Sequence, residues 1–149
     1  MYRDFEFPIS RNVADNLSDK PAHHRVWAAG RPKRDRSSLK IKSPDYFGCN
    51  SFVDHEIGRV LDAIDARSPG ALVVYTSDHG DALESHQISN KGAAMYEEIT
   101  RIPFIVRWPR HAPAGSDCPH PVSHIDLAPS LLEFFGKPVV PFLEGKSML

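Results

Sequence analysis

The sequence predicts an α/β layered fold, with a mostly parallel sheet flanked by helices. Three observations carry that expectation. Apolar residues recur at helical spacing from Cys49 to Ile64. Residues 71–77, Ala-Leu-Val-Val-Tyr-Thr-Ser, form an apolar run rich in β-branched side chains, which suits a parallel strand covered on both faces. A second such run at 102–108 precedes a helical pattern at 127–135. Helix, strand, short helix, strand and helix in succession is the order of a layered α/β protein.

Residues 1–43 have little periodicity and are expected to be an irregular, loop-rich lead-in to a domain at 44–149. Pro8, Pro21, Gly30 and Pro32 punctuate them, and 13–17 amounts to a helical turn at best. The basic run Arg31, Lys33, Arg34, Arg36, Lys40 and Lys42 reads as a solvated loop, because no aromatics interleave with the charges as a nucleic-acid groove requires. His23-His24 reads as an unremarkable loop pair. The helix that follows is expected to start with Ser43 as cap, Pro44 at its first position and Asp45 in its first turn. Its apolar stripe is Cys49, Val53, Ile57, Val60, Leu61 and Ile64, and Arg67-Ser68-Pro69-Gly70 ends it. Asp54-His55-Glu56 lies on its polar side, since consecutive helical residues point in different directions. After the strand at 71–77 comes a loop, then a short helix at 93–100. Pro103 sits at the start of the second strand, where a missing N–H is tolerated. Residues 109–121 form a proline-rich loop. Asp126 is expected to cap the last helix and Gly136 to stop it.

The bulk numbers bound the function. A chain of 149 residues suffices for one domain, burying about 68–70% of its unfolded surface. A formal net charge of −1 gives no global field to draw in nucleic acid or an anionic membrane. Cys49 and Cys118 fit no metal or redox spacing and are expected to be free thiols. No apolar run approaches the roughly 20 residues of a membrane span. Met1-Tyr2-Arg3-Asp4-Phe5-Glu6 lacks a basic-then-apolar leader, which favours the cytoplasm for the chain as given.

Chemistry concentrates where the first strand breaks into Ser77-Asp78-His79-Gly80-Asp81. In open α/β sheets, sites collect outside the carboxyl ends of strands. Asp78 offers a hard oxygen and His79 a borderline nitrogen, and Gly80 permits a turn sharp enough for both to reach one divalent cation. Spacing alone is equally compatible with a polar strand-to-loop turn. Asp81 is a third ligand, the start of the next turn, or a brace for His79. Lys91 lies twelve residues after His79 and could neutralise charge developing on a transferred sulfuryl or phosphoryl group. His86 could donate a proton to a leaving group, or brace the loop.

These residues match a known pattern. Ser77-Asp78-His79-Gly80-Asp81, Glu84-Ser85-His86, Lys91 and the segment from Tyr96-Glu97-Glu98 to Phe104-Ile105-Val106 closely resemble the sulfatase family of the alkaline-phosphatase-like superfamily. The helix around Val53-Asp54-His55-Glu56 and the segment from His124-Ile125-Asp126 to Leu132 also fit. The resemblance runs from Pro44 to Leu149. It implies a metal-dependent hydrolase of small-molecule or carbohydrate sulfate esters, with Asp78 and His79 as one pair of metal ligands. Calcium is the ion implied, with manganese or magnesium as alternatives. It implies that Lys91 contacts substrate anion and nucleophile and that Arg101 pairs with Glu97 or Glu98; His86 is expected as the second catalytic residue beside Lys91.

The resemblance also shows what these residues lack. Sulfatases make formylglycine from the first residue of Cys-x-Pro-x-Arg or Ser-x-Pro-x-Arg. Neither Cys49 nor Cys118 nor any serine here fits. The first pair of metal-binding aspartates and a C-terminal subdomain are missing too. The expectation is the central-to-late part of a catalytic domain, needing the remainder for activity. The alternatives are a phosphonate or phosphate ester hydrolase of the same superfamily, and an inactive truncated product.

Overall fold

The computed structural model describes residues 1–30 and 40–149, so Arg31, Lys33, Arg34 and Arg36 of the basic run lie outside the described residues. The chain divides into two compact units, residues 1–114 and 115–149.

The first unit holds a 3-10 turn, Arg11–Ala14, then α1 (Ala22–Ala29), α2 (Pro44–Arg67), β1 (Val73–Thr76), α3 (Glu97–Thr100) and β2 (Phe104–Arg107). The lead-in is therefore more regular than expected. Helix α1 begins directly after Pro21 and ends where the Gly30 N–H returns to the Val26 carbonyl. Proline before a helix and glycine after it are ordinary boundary signals. Its eight residues are too few to show a convincing apolar period, so the His23-His24 pair sits on a helix instead of a loop.

Helix α2 starts at Pro44 with Asp45 in the first turn and Arg67 in the last, both favourable to its dipole. Ser43 does not cap it with its side chain; only its carbonyl serves, accepting the Phe47 N–H at 3.1 Å. None of its 24 residues is fully buried. Ile57, Leu61 and Ile64 are half-buried, while Val53 and Val60 face outward. Asp54 and His55 are exposed, and Glu56 pairs with Arg59. Lys40 and Lys42 both pair with Glu6, at 3.0 and 3.2 Å. Tyr2, Phe5 and Phe7 pack around Phe47 with ring centroids 5.1–5.8 Å apart, fixing the N-terminal segment to the start of α2.

The strands pair in antiparallel register, Val73 with Arg107 through Thr76 with Phe104. This corrects the expectation of a parallel, doubly covered strand at 71–77 for the one sheet among the described residues. A parallel return needs a crossover of a dozen or more residues, usually a helix. The segment between the strands offers turns, a 3-10 turn at Ser85–Gln87 and the four-residue α3, with no crossover helix. Tyr75 and Ile105 are correspondingly exposed. Arg107 ties β2 to α2 through Asp65 at 2.9 Å.

The buried core lies under the loop between the strands. Ala82, Ile88, Ala94 and Ile99 cluster there, with Trp27 and Tyr96 packed against them. Gly92 has a φ of +47° and lies against the Trp27 ring, leaving no room for a side chain. The lead-in is thus part of the core.

In the second unit a 3-10 turn, His124–Asp126, runs into α4 (Leu127–Phe134). Ser123, not Asp126, is the cap: Ser123 and Asp126 form a reciprocal capping box one turn earlier than expected. Asp126 also accepts the Lys146 N–H at 2.9 Å. Gly136, with φ +62°, stops the helix as expected. No helix among the described residues is long and apolar enough to cross a membrane. Cys49 and Cys118 are free and exposed.

Candidate active site

Strand β1 ends at Thr76, and the next three residues turn back on themselves. Asp78 Oδ1 accepts the backbone N–H of His79 at 2.9 Å. That bond holds the Asp78 carboxyl below its usual range, with the charge of Lys91 acting in the same direction. His79 Nδ1 lies 2.8 Å from the Gly80 carbonyl, which can only accept, so Nδ1 carries the proton. Its Nε2 is then an acceptor, 3.3 Å from Asp78 Oδ2 and taking a hydrogen bond at 2.6 Å from Lys91 Nζ, which can only donate.

Gly80 is the pivot. Its N–H donates to the Ile99 carbonyl at 2.7 Å, and its Cα passes so close to α3 that a Cβ would overlap the Glu98 carbonyl oxygen. Asp81 starts the next turn, its Oδ1 accepting the Leu83 N–H at 2.8 Å.

The path from there to Lys91 is unusual. Leu83, Glu84, His86, Gln87 and Asn90 all have positive φ, between 42° and 72°. Left-handed backbone costs a non-glycine residue roughly 1–2 kcal/mol. The surroundings must therefore hold this loop in place. Ile88 is fully buried, the Ala82 N–H donates to the Asn90 carbonyl at 3.0 Å, and the Gln87 side-chain amide donates to the Asp15 carbonyl.

His86 lies apart from the Asp78–His79–Lys91 group, in a polar cluster with the lead-in. Its Nδ1 donates to Asp15 Oδ2 at 2.7 Å, its Nε2 is 3.9 Å from Glu98 Oε2, and its ring stacks on Tyr96 at 3.7 Å and 5°. The Leu17 N–H and His86 lower the Asp15 carboxyl, outweighing its burial. Burial pushes Glu98 upward, but its own N–H, Asn12, Ser85 and His86 together pull it below its usual value. Tyr96 is raised by burial, and its hydroxyl meets His24 Nδ1 at 2.8 Å. Burial also lowers His24, with His23 acting in the same direction. His23 Nε2 reaches the Ala93 carbonyl at 3.1 Å. Sequence reasoning missed Asp15, and the partner of His24, because His86 and Tyr96 lie 71 and 72 residues away along the chain. Arg101 pairs with Glu97 at 3.5 Å.

Among the described residues no group of three or more His, Cys, Asp or Glu side chains stands in metal-holding geometry. Two donors do converge. Asp78 Oδ2 and His79 Nε2 are acceptors facing each other across 3.3 Å, an arrangement that calls for a cation, and the Lys91 ammonium supplies one in this structure. A histidine whose second nitrogen is fixed by a carbonyl is the usual form of a metal-binding histidine. A carboxylate oxygen and an imidazole nitrogen are donor types that a divalent ion accepts.

A family model described as Sulfatase matches residues 13–137, from the first turn of the lead-in to just past α4. The chain belongs to the sulfatase family. It is 40% identical over 149 residues to the uncharacterized sulfatase YidJ of Escherichia coli, covering 99% of this chain and 30% of that one. It is 36% identical over 106 residues to an N-acetylglucosamine-6-O-sulfatase of Bacteroides thetaiotaomicron, covering 70% of this chain and 19% of that one. Over 149 residues it is 26% identical to the multifunctional alkaline phosphatase superfamily protein PehA of Trinickia caryophylli, covering 97% of this chain and 28% of that one. The chain thus spans less than a third of the length of these relatives. Membership makes it part of an α/β fold of the alkaline-phosphatase-like class, to which the small antiparallel sheet and its helices contribute.

Proposed function

We propose that this chain supplies the Asp78, His79 and Lys91 part of the active site of a sulfate ester hydrolase. The observation that carries the reading is His79 Nε2, held as an acceptor beside Asp78 and 2.6 Å from the Lys91 ammonium. Asp78 and His79 hold a divalent ion, calcium first and manganese or magnesium as alternatives. Such an ion acts as a Lewis acid on a sulfuryl oxygen. The Gly80 carbonyl keeps the His79 proton on Nδ1, so that Nε2 stays a donor of electrons. Lys91 places one positive charge where a sulfate group carries its negative charge, which favours a transition state that gains charge on oxygen. Residues 44–149 form part of the catalytic domain, and residues 1–43 are its lead-in.

The substrate is a small-molecule or carbohydrate sulfate ester, a class supported by the relative named for N-acetylglucosamine-6-O-sulfate chemistry. The 149 residues contain no Cys-x-Pro-x-Arg or Ser-x-Pro-x-Arg. A formylglycine nucleophile must therefore come from a segment other than these residues, and alone they should not turn over substrate. Titration with Mn²⁺, followed by electron paramagnetic resonance, tests the site. Binding lost in both Asp78→Ala and His79→Ala is expected, and no binding to the native chain would refute the metal pair. A chromogenic aryl sulfate tests the chemistry with calcium or manganese present. Turnover by these residues alone that is lost in Asp78→Ala would overturn the requirement for an external nucleophile. Similarity along almost the whole chain to a multifunctional alkaline phosphatase superfamily protein favours a second reading, phosphonate or phosphate ester hydrolysis. Aryl phosphate and phosphonate esters in the same assay decide between the two.

A further inference from the structure

We propose that His86 is a positioning residue and not a proton donor: clamped between Asp15 and Glu98, it holds residues 83–90 on the path that delivers Lys91 to His79. The inference rests on reading Asp78, His79 and Lys91 as the site. It assigns a task to the one candidate that the structure keeps apart from them.

Three observations combine. First, the His86 ring has no free working edge. Nδ1 is bonded to Asp15 at 2.7 Å, Nε2 faces the Glu98 carboxylate, one face lies on Tyr96, and the side chain is only 12% exposed. A group that must reach a leaving oxygen needs a nitrogen pointing into open space, and both of these point at carboxylates.

Second, His86 sits among five left-handed non-glycine residues in the eight from Leu83 to Asn90, with its own φ at 52°. Such backbone persists only where the surroundings over-determine it. Asp15 does much of that, since its carboxylate holds His86 and its carbonyl holds the neighbouring Gln87. The loop ends one residue before Lys91.

Third, the opposite side of the clamp leads to His79. Glu98 is fixed by Asn12 at 3.1 Å, and the next residue, Ile99, accepts the Gly80 N–H at 2.7 Å. The Gly80 carbonyl in turn sets the His79 tautomer. His86 therefore stands between two arms, one ending at Lys91 and the other at His79. It couples both to the lead-in residues Asn12 and Asp15.

Asparagine separates positioning from proton donation. Its amide replaces the donating Nδ1–H and it tolerates left-handed φ, but it cannot serve as an acid. Leucine keeps bulk and loses both properties. The readout that needs no turnover is the pair of ring ¹⁵N shifts of His79 in the histidine-labelled chain. The native chain should show the Nδ1–H form. His86→Asn should keep it, and His86→Leu should show both tautomers in exchange. Mn²⁺ affinity should fall about tenfold in His86→Leu, the low end of the loss expected when a ligand's support is removed, and stay within about twofold in His86→Asn. If His86→Leu does not fold, Asp15→Ala gives the same contrast from the other partner. Native His79 shifts in His86→Leu, or His86→Asn as impaired as His86→Leu while still folded, would overturn the proposal. Failure of the native chain to bind Mn²⁺ would instead sink the metal reading, with the His79 shifts still deciding on the clamp.

Discussion

Gly80→Ala is the sharpest test of how the site is held. The glycine is not needed for its φ, which any residue could adopt. It is needed for space: a Cβ would overlap the Glu98 carbonyl oxygen, and would come within 3.1 Å of the Glu98 carbonyl carbon and 3.4 Å of Ile99 Cα. All three are backbone atoms of α3, so no rotamer change relieves the clash. Forcing a methyl into a packed site costs about 1–3 kcal/mol. Stretching the Gly80–Ile99 hydrogen bond adds about 1 kcal/mol. The narrower unfolded ensemble of alanine offsets roughly 0.4–1 kcal/mol. The net loss is about 1–3 kcal/mol, and at about 2–4 °C per kcal/mol for a chain near this size that gives a Tm lower by about 2–12 °C. Calorimetry of the two proteins measures it. Gly58→Ala is the control, because nothing lies within 4 Å of that position in α2, and alanine should gain up to about 1 kcal/mol of helix propensity. An unchanged or raised Tm in Gly80→Ala, alongside the expected rise in Gly58→Ala, would refute the steric account.

Other consequences are as direct. Asp15 has a folded-state pKa below its ordinary 3.8, so its contribution is complete above that value and disappears as pH falls through the lower one. The gap in urea midpoint between native protein and Asp15→Asn should therefore be full near neutrality and close in strong acid; a gap that widens on acidification contradicts the assignment. Asp126→Ala removes the acceptor of the Ser123 and Lys146 N–H groups and should cost about 0.5–2 kcal/mol. Faster hydrogen exchange at the Lys146 amide would report it, and an unchanged rate would count against the bond. Gly92→Ala cannot coexist with the Trp27 ring where it now lies. In a Trp108→Phe background the remaining tryptophan emission should shift to the red, and an unshifted spectrum would mean that the packing is wrong.

Local chemistry was readable from the sequence and long-range chemistry was not. The start of α2 at Pro44, the end of α4 at Gly136 and the break of a strand into Ser77-Asp78-His79-Gly80-Asp81 follow from signals within a few residues of each feature. The pairing of β1 with β2 did not, because an apolar run says that a strand is covered without saying by what. Ser43 and Ser123 show the limit for caps: both precede a helical start, and only Ser123 has the acidic partner three residues on that closes a capping box. Asp78, His79 and Lys91 stood out through the resemblance to the sulfatase pattern, spacing alone leaving a polar turn equally open, and the structure brings their side chains together. Asp15 carried no such mark. Nothing in the neighbourhood of an isolated aspartate reveals a histidine 71 residues later.

That separation has a consequence for how the molecule comes together. The bonds that tie the lead-in to the strained loop and to the segment after it join Asp15 to His86, His24 to Tyr96 and Asn12 to Glu98, across 71, 72 and 86 residues. Chain entropy opposes such closures until both ends are already ordered. Helix α2 closes only on itself and can form early, whereas the site must wait for the lead-in to return. In refolding, helical ellipticity should recover before Trp27 emission reaches its native value. Simultaneous recovery would mean that the lead-in and the loop find each other first. In the expected order, the residues placed for chemistry are the last part of the first unit to acquire a single shape.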